Sequence, residues 1–179
     1  MCNVPRIQLD YLDSRRIFLP LVQKLLNIDK NIINHFDAEI VNFFIIDYNS
    51  AKDSFDLNSD LLLTKEQNKL CISFKSIGYD PQLYFKIPFS HIGDGYLYKI
   101  EVLIRSSIDS EIECFYSVSG LGFVKEKSIS CGLKKEINDI SFLIIDADFD
   151  GHLRIDFAKS VGEFDLIRIA VSQIAIKFK

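Results

Sequence analysis

The chain has 179 residues and a mass of 20.6 kDa, enough for one domain with an appendage and too short for two full catalytic domains. Its 48% hydrophobic and 26% charged residues argue against a disordered chain and against a membrane-embedded one. Twenty-one Lys and Arg against 25 Asp and Glu leave a net charge of −4 and a pI near 5.4, so nucleic-acid binding has no global electrostatic support.

The first residues, Met1-Cys2-Asn3-Val4-Pro5-Arg6, lack a charged segment followed by an apolar one, so no secretory signal is expected and Cys2 is no lipobox cysteine. The longest apolar runs, such as Val41–Ile46, fall far short of the roughly 20 residues of a membrane span. A cytoplasmic location is the resulting expectation. Cys2, Cys71, Cys114 and Cys131 are too widely spaced for a zinc site or a redox motif and read as small buried hydrophobes.

Ile17, Leu21, Leu25, Ile28, Ile32 and Phe36 recur at steps of three or four, which predicts a helix over Leu19–Phe36 with one apolar stripe and Pro20 in its first turn. That stripe needs a partner surface, either the domain that follows or a second copy of the chain. The domain reading is therefore an N-terminal segment, 1–38, and a second domain, 39–179.

From Glu39 onward, short β-branched runs alternate with turn residues every eight to twelve positions. Strands are predicted at Ile40–Tyr48, Lys69–Lys75, Gln82–Ile87, Tyr96–Arg105, Glu111–Ser117, Phe123–Ser130, Ile140–Asp146, His152–Phe157 and Leu166–Phe178. In the Tyr96–Arg105 run, Tyr96, Tyr98, Ile100, Val102 and Ile104 form an apolar face opposite a mixed one, which places this strand at the centre of a sheet. No strand-then-helix repetition exists to build a parallel α/β sheet. The fold class is all-β, an antiparallel β-sandwich with one N-terminal α-helix.

The succession Gly78-Tyr79-Asp80-Pro81-Gln82-Leu83-Tyr84-Phe85, the Tyr-x-Tyr-x-Ile-x-Val strand, Cys114-Phe115-Tyr116, Phe123-Val124-Lys125-Glu126 and His152-Leu153-Arg154-Ile155-Asp156 resembles a known type of module. It is similar, over Lys69–Lys177, to the galactose-binding-like, carbohydrate-binding-module-like jelly-roll accessory domains found beside bacterial glycosyltransferases of surface-polysaccharide synthesis. Asp156 is followed by Phe157 where that family has a proline or small residue, so its second motif is kept in part. The resemblance implies a glycan or a glycosyltransferase as partner.

Asp80, before Pro81, sits where the α region is disfavoured and can cap the turn that launches the Gln82 strand, or meet a ligand. Arg154 and Asp156 lie two apart on one strand face, where the guanidinium can bind the carboxylate bidentately or reach a sugar hydroxyl. Tyr79 and Tyr84 supply aromatic surface with a polar tip, and the chain has no Trp. Tyr79, Asp80, Tyr84, Arg154 and Asp156 are the candidate ligand residues.

Asp146, Asp148 and Asp150 with Gly151 match the start of a calcium loop, yet Phe157 stands where the closing bidentate Glu is needed. These three aspartates are the only metal candidates, and an acidic hairpin turn reversing at Asp150-Gly151 is the simpler reading. No calcium and no other cofactor is expected.

Gly120-Leu121-Gly122 has Lys125 where a dinucleotide loop needs its third glycine, and His35, His91 and His152 are isolated. Glu111 and Glu113 share a strand face that reads as a solvated edge, and Lys125, Lys127, Lys134 and Lys135 read as a basic face around one hairpin. The expectation is a non-catalytic accessory or carbohydrate-recognition module of surface-polysaccharide biosynthesis. A structural oligomerisation domain and a jelly-roll glycosidase or lyase are the alternatives.

Overall fold

The computed structural model describes residues 36–47, 54–64, 71–93, 95–157 and 161–178. The helix predicted over Leu19–Phe36 lies outside them, except that Phe36 itself opens a strand. The chain divides into two compact units, Met1–Glu39 with Ile176–Lys179, and Ile40–Ala175. Of the first, only strand ends are described; the fold that follows is that of the second.

Eleven strands are present among the described residues: β1 (Phe36–Ile46), β2 (Asp56–Leu57), β3 (Leu61–Leu63), β4 (Ile72–Ser76), β5 (Gln82–Lys86), β6 (Tyr96–Ser106), β7 (Ser110–Val118), β8 (Gly122–Leu133), β9 (Glu136–Ile144), β10 (Phe149–Asp156) and β11 (Glu163–Phe178). They form two sheets, β3-β4-β11-β6-β9 with β1 also on β11, and β2-β5-β10-β7-β8. β1 aside, neighbours within both sheets run antiparallel. All nine predicted strands correspond to observed ones. β2 and β3 were not expected, because two or three residues carry too little alternation to separate a strand from a turn.

The alternation in β6 becomes the core in the expected way. Tyr98, Ile100, Val102 and Ile104 are fully buried, and β6 lies between β11 and β9. Opposite them, the second sheet buries Leu83 and Phe85 of β5, Ile112 and Cys114 of β7, and Leu153 and Ile155 of β10. Phe157 stacks between Phe74 and Phe164, with ring centroids 5.9 and 5.8 Å away. Burying each such side chain is worth about 1.5–3 kcal/mol, which drives the two sheets together. Cys71 and Cys114 are buried as expected, and burial pushes the Cys114 thiol up to about 12; Cys131 instead is exposed, since it lies on the edge strand β8.

One polar knot crosses this apolar core. The Gln173 amide, fully buried on β11, donates to the His91 carbonyl (2.5 Å) and the Tyr98 hydroxyl (3.2 Å) and accepts from Asn42 (2.6 Å). The Tyr98 hydroxyl also accepts from the backbone N–H of Gly93 (2.9 Å), so a strand, a loop and the sheet centre are tied at one point.

The Asp146–Gly151 segment is not a hairpin turn. β9 belongs to one sheet and β10 to the other, so residues 145–148 carry the chain across the sandwich, and Asp150 and Gly151 already lie within β10. The pairing of β10 with β7 shifts register between Phe149 and Leu153, and Gly151 sits in this bulge at φ 90°. A Cβ there would stand 2.5 Å from Ile92 Cδ1. Gly151→Ala therefore combines a left-handed backbone with a steric clash and is expected to cost about 2–3 kcal/mol, measured by denaturant unfolding.

Candidate functional site

Because Leu153 and Ile155 point into the core, Arg154 and Asp156 project from the opposite, outer face of the second sheet. By the same alternation, Ile112 and Cys114 turn inward while Glu111, Glu113 and Phe115 of β7 turn outward. Register then aligns these side chains in rungs. Tyr84 of β5, Arg154 of β10, Phe115 of β7 and Ser128 of β8 form one rung; Gln82, Asp156, Glu113 and Ser130 form the next.

Across these rungs lies a cavity of about 230 Å³ lined by Asp80, Glu111, Glu113, Phe115, Lys125, Arg154 and Asp156. Its floor is a composite. The Arg154 guanidinium lies 3.8 Å above the Phe115 ring and 5.7 Å from that of Phe123, and Lys125 approaches Phe115 from its own side at 5.2 Å. Phe115 is thus only 5% exposed although it faces outward. Tyr84 packs edge-on against Phe123 at 5.9 Å and hydrogen-bonds through its hydroxyl to Gln82.

Arg154 is locked as the i, i+2 spacing allows. Its Nε and Nη2 donate to the two Asp156 oxygens at 2.9 and 3.0 Å. Glu113 accepts from Lys125 (2.5 Å) and from the Ser128 hydroxyl (2.6 Å). Burial raises the Asp156 carboxyl from its ordinary 3.8 to about 6; Arg154 pulls it down, and the charges of Asp80 and Glu113 push it up. The folded chain therefore holds this proton more tightly than the unfolded one. Stability from this group is fully present below pH 3.8 and is lost as pH rises through about 6. Carboxyl-carbon NMR titration should find Asp156 at about 6, and Asp156→Asn should flatten the fall in melting temperature across that window.

Of the candidate ligand residues, the cavity brings Asp80, Arg154 and Asp156 together, with Tyr84 on the Arg154 rung. Tyr79 is 83% exposed, next to Asp80 in the loop between β4 and β5. Asp80 is not the turn cap: Asn58 fills that role, its Oδ1 accepting from the Gln82 N–H (3.0 Å) and its Nδ2 donating to the Asp80 carbonyl (2.6 Å). The Asp80 carboxylate instead accepts from the Gln82 side-chain amide at 2.5 Å.

Two expectations are corrected by the order of strands in the second sheet. Glu111 and Glu113 are not on an exposed edge, because β7 lies between β10 and β8, and both line the cavity. The four lysines do not form one face. Lys125 and Lys127 stand near the start of β8, and Lys134 and Lys135 follow its end, roughly 25 Å along an extended strand. Phe115 and Phe123 escaped sequence reasoning because an outward aromatic in a Phe-rich chain looks like core until its neighbours are known.

The three metal candidates separate. Asp146 bonds Lys127 (2.6 Å), which holds its carboxyl below the usual value; Asp150 accepts from the Ser117 hydroxyl (2.8 Å); and Asp148 is exposed. Among the described residues, no three His, Cys, Asp or Glu side chains gather as a metal would require. His152 Nδ1 lies 3.1 Å from Asp150, but Ser117 bonds the carboxylate and not the imidazole, so the three do not make a nucleophile–base relay. No helix among the described residues is long and apolar enough to cross a membrane.

Comparison with solved structures places the architecture. The carbohydrate-binding module BiXyn10A CBM1, in its apo form, superimposes with a TM-score of 0.56 at 18% identity, covering 72% of this chain and 96% of that one. The fold is similar to the β-sandwich of this carbohydrate-binding module. The CBM22-1 xylan-binding domain from Paenibacillus barcinonensis Xyn10C gives a TM-score of 0.55 at 4% identity, over 76% of this chain and 95% of that one. A family 29 carbohydrate-binding module gives 0.50 at 11% identity, over 76% and 92%. No family model and no curated protein sequence matches the chain. At these identities the likeness is one of fold.

Proposed function

We propose that this chain is a non-catalytic carbohydrate-recognition module that seats a glycan on the outer face of the β2-β5-β10-β7-β8 sheet. The observation that carries the reading is the cavity at the centre of that face, where Arg154, held over Phe115 by the Asp156 fork, stands among carboxylates able to accept from sugar hydroxyls. Nε and Nη2 of Arg154 are taken by Asp156, and the guanidinium's remaining N–H groups are donors for a sugar oxygen. Tyr79, next to Asp80 in the chain, offers an open ring, and apolar sugar faces stack on such rings. The fold supports the same reading, since its solved relatives include carbohydrate-binding modules.

The wider role, as an accessory module or partner of a glycosyltransferase in surface-polysaccharide assembly, rests on the resemblance of the 69–177 stretch. Co-purification with such a transferase from the native host tests it, and failure to recover one would remove that role.

Native affinity electrophoresis against a panel of soluble neutral polysaccharides tests the recognition itself. Retardation by at least one polymer is expected, weakened about threefold or more in Tyr79→Ala with the melting temperature unchanged. Migration unaffected by every polymer would overturn the reading.

A further inference from the structure

The cavity is lined by four carboxylates, from Asp80, Glu111, Glu113 and Asp156, and by only two cations, Lys125 and Arg154. Both cations are engaged by the cavity's own acids, Lys125 by Glu113 and Arg154 bidentately by Asp156. Asp80 differs from the other acids in where it comes from. It stands on the loop between β4 and β5, beside the open Tyr79 ring, and its carboxylate accepts from the Gln82 amide, a neutral group. Its charge is felt across the cavity, since it helps to raise the Asp156 carboxyl.

Resting on the recognition reading above, we propose that Asp80 is a specificity-determining residue that makes this site discriminate against acidic glycans. A uronate or sulfate lying over the cavity would meet more carboxylates than cations, and the Arg154 and Lys125 charges it could approach are already offset by Asp156 and Glu113. A sugar hydroxyl meets acceptors in place and breaks nothing. Charge selection thus follows from the excess of acid over base in the wall, and the Gln82 amide from which Asp80 accepts carries no charge to offset it.

The test takes the neutral polysaccharide that binds best and prepares it in two forms, lightly carboxymethylated and, as a neutral control of similar bulk, lightly hydroxyethylated. Titration calorimetry at about 0.05 M salt should find the carboxymethylated form roughly tenfold weaker, and the deficit should shrink at about 0.5 M salt. Asp80→Asn keeps the side chain's shape and its acceptor for Gln82, so the fold should be retained, while the deficit falls to about threefold. Equal binding of the two forms by the parent protein would overturn charge discrimination. A tenfold deficit that persists in Asp80→Asn would overturn the assignment to Asp80. If no neutral polymer binds at all, the recognition reading fails first and this inference falls with it.

Discussion

Replacing Arg154 with alanine is expected to remove glycan binding while leaving the sandwich folded. The guanidinium supplies the cavity's planar donor surface, and hydrogen bonds to a charged group are worth about 1.5–3 kcal/mol each, so the loss of one corresponds to a drop in affinity of roughly tenfold to 150-fold. Arg154→Lys should not restore it, because a flexible ammonium neither presents a planar group over Phe115 nor grips both Asp156 oxygens. Arg154→Ala also leaves Asp156 facing Asp80 and Glu113 without its counter-ion, so the Asp156 carboxyl should titrate above about 6. Partial exposure of the pair keeps the stability loss to about 2 kcal/mol, smaller than for a fully buried one. Calorimetry with the best-binding polymer, read beside a thermal melt, separates the two effects. An alanine variant that binds as the parent does would show that the glycan sits elsewhere.

The largest stability effect is expected at Gln173. Gln173→Leu is close to isosteric, yet it removes two donors and an acceptor from a fully buried position and leaves the Asn42 amide and the His91 carbonyl without this partner. Stranding buried polar groups costs about 1–3 kcal/mol each, and a loss of about 3 kcal/mol lowers the melting temperature of a chain this size by roughly 6–12 °C. Tyr98→Phe removes only the hydroxyl shared by Gly93 and Gln173 and should cost less. If Gln173→Leu melts with the parent, the knot contributes nothing net to stability.

How far the sequence discloses this molecule depends on whether a feature is local. The two-residue period of β6 shows directly which side chains enter the core, because alternation is a property of one strand. The Arg154–Asp156 fork is legible for the same reason, since residues two apart share a face. The site as a whole is not. Glu111 and Glu113 look like a solvated edge until β7 is known to lie between β10 and β8, and only cross-strand register puts Phe115 beneath Arg154. Asp146, Asp148 and Asp150 show the opposite error: a local pattern with a familiar spacing is pulled apart by Lys127 on one strand and Ser117 on another. Asp80 is near enough in sequence to cap the Gln82 strand, yet the cap is Asn58, 24 residues from Gln82.

The position of β11 bears on how the chain reaches this state. Its first four residues, Glu163–Leu166, pair with β4 and most of its length with β6, so it is the seam between the two halves of the larger sheet, although it is the last of the eleven strands to be synthesised. Until it emerges, β3-β4 and β6-β9 are separate ribbons with open hydrogen-bonding edges, and the Gln173 knot has no centre. Folding on the ribosome should therefore wait for the C-terminal strand and then complete in one cooperative step, leaving the nascent sheet edges dependent on protection from association during translation.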